Sequence, residues 1–171
     1  MRVPRKAMAF SICVAVMGCG SESDGGTTDG GTRLISGSVQ VGYYGATHAP
    51  SHGVVNRGTI LGGASDPEMT IRLSTAAIDC STEFTGEKRP DGLFVSLTAP
   101  DRVPATHDKA WFDVLEKHGT DIKSNGGQTT LTISEVTDES VTATIDLDTT
   151  PPDSAAGPIT VSGTFTVERC F

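Results

Sequence analysis

The stretches TLTISEVTDESVTATIDLD (Thr130–Asp148) and ITVSGTFTVE (Ile159–Glu168) carry the strongest structural signal in this chain. In both of them apolar and polar residues alternate, so that every second side chain points to the same side of the backbone. This pattern is typical of antiparallel strands with one face on a core and the other in water. The short polar segment Thr137–Ser140 fits a tight hairpin. The two stretches therefore predict three consecutive antiparallel strands.

Three upstream runs show the same alternation, namely Ile35–Tyr43, Met69–Ser74 and Leu93–Thr98. Typical turn sequences separate such runs, among them Asp91-Gly92 and Asn125-Gly126-Gly127. Several short strands with regular turns predict an all-β fold. We expect a single antiparallel β-sandwich or small barrel of about 7–8 strands over residues 33–171.

The segment 106–119 supports two interpretations. Trp111 and Val114 have the spacing of a helical face, whereas Ala110, Phe112 and Val114 alternate as they would in a strand. Because the surrounding sequence is otherwise β, we favour the strand.

The N-terminus has the features of an export signal. Arg2, Arg5 and Lys6 precede a mainly apolar stretch, Ala7–Gly18, which is shorter than the roughly 20 residues that a membrane-spanning helix needs. Residues 1–18 are therefore predicted to be a signal peptide that is removed.

The motif Val16-Met17-Gly18-Cys19 resembles the lipobox of bacterial lipoproteins. The resemblance implies that the Cys19 thiol receives a diacylglycerol, that cleavage occurs before Cys19, and that the new amine is acylated. Val16 and Met17 depart from the usual Leu and small residue. Ordinary signal cleavage, which would leave an unpaired Cys19, is the alternative.

Residues 19–32 are predicted to be the lipidated cysteine and a flexible tether. Gly20–Thr32 contains Gly, Ser, Thr, Asp and Glu and no residue that could enter a core. Such a tether would hold the domain about 20 Å from the bilayer. Gly20 after the cysteine resembles the outer-membrane sorting pattern of enteric bacteria. This resemblance implies a cell-envelope protein anchored to the outer membrane.

Cysteine usage predicts one disulfide. Cys13 leaves with the signal and Cys19 carries the lipid, which leaves Cys80 and Cys170 as an even pair in an oxidising compartment. Strict alternation places Cys170 on the polar face of the last strand. Either a bulge intervenes or the bridge lies outside the core.

The charge of the chain argues against nucleic acid as a partner. The full sequence has a net charge of -8, and removal of Arg2, Arg5 and Lys6 leaves 10 basic residues against 21 acidic ones. A protein this acidic repels phosphate backbones.

The C-terminal hairpin Thr130–Leu147 and the strand Val161–Cys170 resemble a pattern found in small, uncharacterised lipoproteins of Gram-negative bacteria. Those proteins also carry a cysteine after a strand similar to Ile71–Ser74, here Cys80. The resemblance is closest over roughly the last 45 residues. It implies a compact β domain and no assigned activity.

The histidines do not predict a metal site. His48 and His52 have the spacing of a helical zinc pair, but Pro50 between them disfavours a helix, so we interpret them as loop residues. The other two are the distant His107 and His118.

No catalytic motif is present in the sequence. Asp146, Asp148 and Asp153 lack the glycine and distal Glu of a calcium loop and are interpreted as an acidic outer face. Ser65-Asp66 lies beside glycines, as expected in a turn, without a Gly-x-Ser-x-Gly motif. We expect a protein that is not an enzyme and that has no cofactor.

Two aromatic pairs, Tyr43-Tyr44 and Trp111-Phe112, are candidate binding residues. On a strand one member of each pair faces inward and the other outward. An outward Tyr44 or Trp111 could stack on a sugar, contact a partner or line a barrel mouth. Partial burial under long loops is the interpretation that we favour.

These observations predict a membrane-anchored envelope lipoprotein that acts as a non-enzymatic binding or structural module. The alternatives are a lipocalin-like carrier of a small apolar ligand, or a metal-binding protein. Gly37, Ala143 and Gly163 at inward positions predict a tight interior, which argues against the carrier. We therefore expect a filled sandwich without converging histidines.

Overall fold

The computed structural model describes residues 31–57, 68–84, 88–151 and 155–171. The nine elements that make up the fold in this part of the chain are all strands, which confirms the all-β fold class. The strands are β1 (Ser36–Tyr43), β2 (Ala46–His48), β3 (His52–Arg57), β4 (Met69–Ser74), β5 (Gly92–Ala99), β6 (Ala105–His118), β7 (Asp121–Val136), β8 (Ser140–Thr149) and β9 (Ile159–Arg169).

Seven of the strands, β3 to β9, close into a barrel. Each pairs antiparallel with the next along the chain. The barrel closes where the end of β9 pairs in parallel with β3, at Val54–Glu168 and Val55–Arg169. The expectation of a sandwich is therefore wrong, and the barrel is the correct alternative. One continuous sheet curls until its ends meet, so its inner face forms the main core.

Strands β1 and β2 form an additional hairpin on this barrel. β1 pairs with the free edge of β9, and β2 pairs with β1. In the ladder between β1 and β9, Gly163 has a φ of 149°. A Cβ at this position would lie 2.1 Å from the Ser38 carbonyl oxygen. Gly37, which pairs with Phe165 two residues further along the same ladder, is exposed. These glycines allow two backbones to approach, so the expectation that Gly37 narrows the interior is wrong.

The interior of the barrel is filled by apolar side chains. Inward residues of all seven barrel strands and of β1 form one buried cluster. A barrel of this strand number has an interior just wide enough for its own side chains. The largest of the fully buried side chains are Tyr43, Met69, Ile71, Leu73, Phe112 and Phe165.

A second apolar cluster, which we call the outer cluster, lies on the outside of the barrel wall. The chain between β4 and β5 crosses the outer faces of β3 to β6 and packs Ile78 and Phe84 against them. The guanidinium of Arg72 lies 4.3 Å from the centre of the Phe84 ring. The buried members of the outer cluster are Val54, Ile78, Phe84, Phe94 and Leu115.

Cys80 and Cys170 join this connection to the end of β9. Their sulfur atoms are 2.13 Å apart, at bonding distance, and their Cα atoms are 5.3 Å apart. Cys170 follows the last residue of β9 and packs against the outer cluster. Of the two alternatives raised by the alternation, the bridge therefore lies outside the core.

Several local predictions can be compared with these strands. Residues 106–118 lie in strand β6, and Thr137–Ser140 contains the hairpin turn between β7 and β8, as predicted. Asn125-Gly126-Gly127 is not a turn, because it lies inside β7. A Cβ at Gly126 would lie 2.6 Å from the Phe112 carbonyl oxygen, so this glycine serves close packing of two strands. The turn occurs instead at Gly119, where φ is 59°.

Residues 1–30, which include the predicted signal, Cys19 and most of the tether, lie outside the described residues. Within the described residues there is no helix with the length and apolar character needed to cross a membrane.

Candidate functional site

A bulge in β6 decides which aromatic side chain reaches the surface. His107 pairs with Leu131, but Ala110 pairs with Thr129, so β6 contains one more residue than β7 across this interval. Both Asp108 and Lys109 are exposed, and the alternation of the strand reverses after them. Without the bulge Trp111 would share the inward face of His107. With it, Trp111 faces outward.

Trp111 and its neighbour Phe112 therefore have opposite environments. Phe112 is buried in the barrel core, whereas Trp111 is 53% exposed. This confirms that one member of the pair faces inward and the other outward. Partial burial of the outward ring is the interpretation that we favour from the sequence, and about half of the Trp111 side chain is exposed. The β4–β5 connection covers a different part of the same face.

The area that the β4–β5 connection covers on the outer face ends along β6. Leu115 and Lys117, which project from the same face as Trp111, are 8% and 5% exposed. The Nζ atom of Lys117 donates a hydrogen bond to the Arg89 carbonyl oxygen and lies 3.7 Å from the Asp91 carboxylate. The outer cluster therefore ends between Leu115 and Trp111, and the indole lies beyond its edge.

Trp111 belongs to a row of uncharged polar side chains that crosses five strands. Cross-strand pairing places Trp111 between Thr98 of β5 and Gln128 of β7, and continues from Thr98 to Thr70 and Asn56. The Oγ1 atoms of Thr70 and Thr98 are 3.1 Å apart and share a hydrogen bond. With about 4.8 Å between neighbouring strands, the row is about 19 Å long.

A groove lies beside the indole, and we call it the Trp111 groove. It has a volume of about 280 Å³. Its position is supported by Arg102, whose Nε donates to the Glu68 carbonyl oxygen at 3.2 Å. The residues that line it are Glu68, Thr98, Pro100, Lys109 and Trp111.

The other aromatic pair lies at the β1–β2 turn. Tyr43 is 1% exposed, and its hydroxyl accepts a hydrogen bond from Asn125 Nδ2 at 2.8 Å. Tyr44 is exposed, and Lys123 Nζ lies 4.8 Å from the centre of its ring. Burial raises the pKa of the Tyr43 phenol above its ordinary value, and the hydrogen bond from Asn125 opposes this effect.

We expect this tyrosine to weaken the fold in alkaline solution. The unfolded chain loses the Tyr43 proton near pH 10, before the folded chain does, so the folded state binds more protons and its stability falls as pH rises through this value. Tyr43→Phe removes this pH dependence, because phenylalanine does not titrate. The variant should also lose about 1 kcal/mol of unfolding free energy, since the hydrogen bond from Asn125 is lost. Urea unfolding of both proteins from about pH 9 to about pH 11 measures the difference. Parallel pH profiles of the two proteins would contradict the assignment.

The four histidines lie in separate places. His48 is in β2, which pairs with β1, and His52 is in β3, which pairs with β4. Their assignment to a solvated loop is therefore wrong. His107 is buried, with its Nε2 3.9 Å from the Asp101 carboxylate, and His118 is exposed beside Glu116. Across the ranges that the structure describes, no three His, Cys, Asp or Glu side chains form a group that could hold a metal ion.

Asp146 and Asp148 project outward from β8, as the acidic-face interpretation predicts. Asp153 and the Ser65-Asp66 pair lie outside the described residues.

Comparison with known protein families, with curated proteins and with solved structures found no match. The arguments about function therefore rest on the geometry of this chain. Sequence reasoning identified Trp111 but missed the residues around it, namely Asn56, Glu68, Thr70, Lys109 and Gln128. The adjacent polar residues Asp108 and Lys109, between two inward positions, are the sequence signal that could have indicated the bulge.

Proposed function

We propose that this protein is a lipid-anchored module of the bacterial cell envelope that binds a partner non-enzymatically through the barrel face around Trp111. The observation that carries the proposal is the exposed indole beside an open groove, on a barrel whose interior is filled. Trp is enriched among the residues that carry most of the binding energy at interfaces, so a half-exposed indole beside a groove is a candidate contact residue.

A carrier of apolar ligands is the second candidate, because closed β-barrels are also the architecture of lipocalin-like proteins. Such carriers hold the ligand inside the barrel. Here the inward positions are occupied by Val41, Leu97, Phe112 and Phe165, all buried. The outer face is therefore the better supported binding surface.

The anchoring half of the proposal predicts a modified N-terminus. Mass spectrometry of the mature protein is expected to find Cys19 as the first residue, with a diacylglyceryl group on its thiol and an acyl chain on its amine. The protein should partition into the detergent phase in Triton X-114 extraction, because two or more acyl chains hold a protein stably to a membrane. Cys19→Ser is expected to move it to the aqueous phase. An unmodified N-terminus at or after residue 19 would contradict the anchor.

The binding half is tested separately from the lipid. The Cys19→Ser variant, which cannot carry the lipid, is mixed with envelope fragments from its own host and sedimented. We expect it to sediment with the fragments, and a second substitution, Trp111→Ala, to reduce the bound fraction several-fold. Equal sedimentation with and without the indole would contradict the assignment of the binding face.

A further inference from the structure

We infer that the ligand of the Trp111 groove is an uncharged saccharide, with one pyranose ring stacked on the Trp111 indole. This inference rests on the proposed function and gives its site a ligand class. It is drawn from the exposed ring, the side chains in register with it and the charges of the groove.

The indole supplies the platform for stacking. The C–H bonds of one face of a pyranose ring carry slight positive charge, and they pack favourably on the electron-rich face of an aromatic ring. The backbone of Trp111 is held by strand pairing on both sides, opposite Thr98 and Gln128, and the β6 bulge directs the indole outward. A platform fixed before binding reduces the entropy lost when a flexible ligand binds.

The neighbouring side chains supply hydrogen bonds of the kind that sugar hydroxyls need. Gln128 is exposed on one side of the indole, and its amide offers both a donor and an acceptor. Thr98 on the other side contributes a hydroxyl that also faces the groove. Each sugar hydroxyl both donates and accepts, so amides and hydroxyls in one row satisfy it on either side of the stacked ring.

The charges of the groove favour an uncharged ligand. Among the described residues that line it, one is an acid, Glu68, and one is a base, Lys109, so their charges balance. The chain as a whole is acidic, with a net charge of -8, so a polyanionic polysaccharide would be repelled. A protein partner would favour a contiguous apolar patch. The other large apolar side chains that are exposed among the described residues do not line the groove; they are Leu34, Tyr44, Val103 and Ile122.

The volume of the groove, about 280 Å³, is at the small end for ligand sites.

Trp111 is the only tryptophan in the chain, so intrinsic tryptophan fluorescence reports on this groove alone. The purified protein is titrated with neutral oligosaccharides of glucose, mannose, galactose or N-acetylglucosamine while Trp111 emission and its quenching by acrylamide are recorded. We expect at least one series to bind with a dissociation constant of roughly 1 mM or lower, to shift the emission and to protect the indole from acrylamide.

Calorimetry with the same oligosaccharide then compares variants. Trp111→Ala should weaken binding at least tenfold, Gln128→Ala several-fold, and Trp111→Phe less than Trp111→Ala. Tyr44→Ala, which removes an exposed aromatic ring elsewhere, is the matched control and should bind within twofold of the wild type.

Three results with purified saccharides would overturn the inference. One is the absence of binding to every neutral series, a second is binding that Trp111→Ala leaves unchanged, and a third is binding only to acidic polysaccharides such as polygalacturonate. If the Trp111-dependent sedimentation with envelope fragments disappears when the fragments are first treated with protease, the partner is a protein. In that case the proposed function stands and the saccharide inference fails.

Discussion

Replacement of both Cys80 and Cys170 by serine is expected to lower the free energy of unfolding by about 4 kcal/mol, because the bridge closes a long loop in the unfolded chain. The two residues are 90 positions apart in sequence. A loss of this size is a large fraction of the roughly 5–15 kcal/mol that stabilises a typical domain. Urea denaturation, with the midpoint and slope compared between the variant and the wild type, measures it.

The reductant dithiothreitol provides the matched control for this prediction. It should destabilise the wild type to a similar extent and leave the double serine variant unchanged. A local effect can be measured separately from global unfolding. The bridge also holds the β4–β5 connection over the outer cluster, where Ile78 and Phe84 are buried. Hydrogen exchange is therefore expected to rise first in that connection. A double variant as stable as the wild type, with unchanged exchange there, would show that the bridge contributes nothing.

Most of the barrel could be predicted from period-two alternation, because half-buried strands need it. The runs at Met69–Ser74, Leu93–Thr98 and Val141–Asp148 all lie within observed strands. Closure could not be predicted in the same way. A sandwich and a barrel impose the same alternation on each strand, and what separates them here is two parallel residue pairs between β3 and β9, far apart in sequence.

The candidate site was harder to predict, because it depends on contacts between strands. Nothing in the sequence of β4 or β5 shows that Thr70 and Thr98 lie in one row with Trp111. Only the register of two strand pairings, β4–β5 and β5–β6, places them there. The same limit explains Asn125-Gly126-Gly127, which has the composition of a turn. Its glycines meet the backbone and the ring of Phe112, a contact that no local rule contains.

Substitutions of the neighbours Phe112 and Trp111 test the barrel and the β6 bulge, which decides which of the two side chains faces inward. Phe112→Ala removes a buried ring from the core and should cost about 3–5 kcal/mol of unfolding free energy. Trp111→Ala removes a larger ring from an open face, so we expect its effect on stability to be within about 1 kcal/mol. Urea unfolding followed by far-ultraviolet circular dichroism suits both variants, since it does not depend on the tryptophan. If the bulge were absent, Trp111 would face the core and Phe112 would face outward. Trp111→Ala would then be the more destabilising substitution.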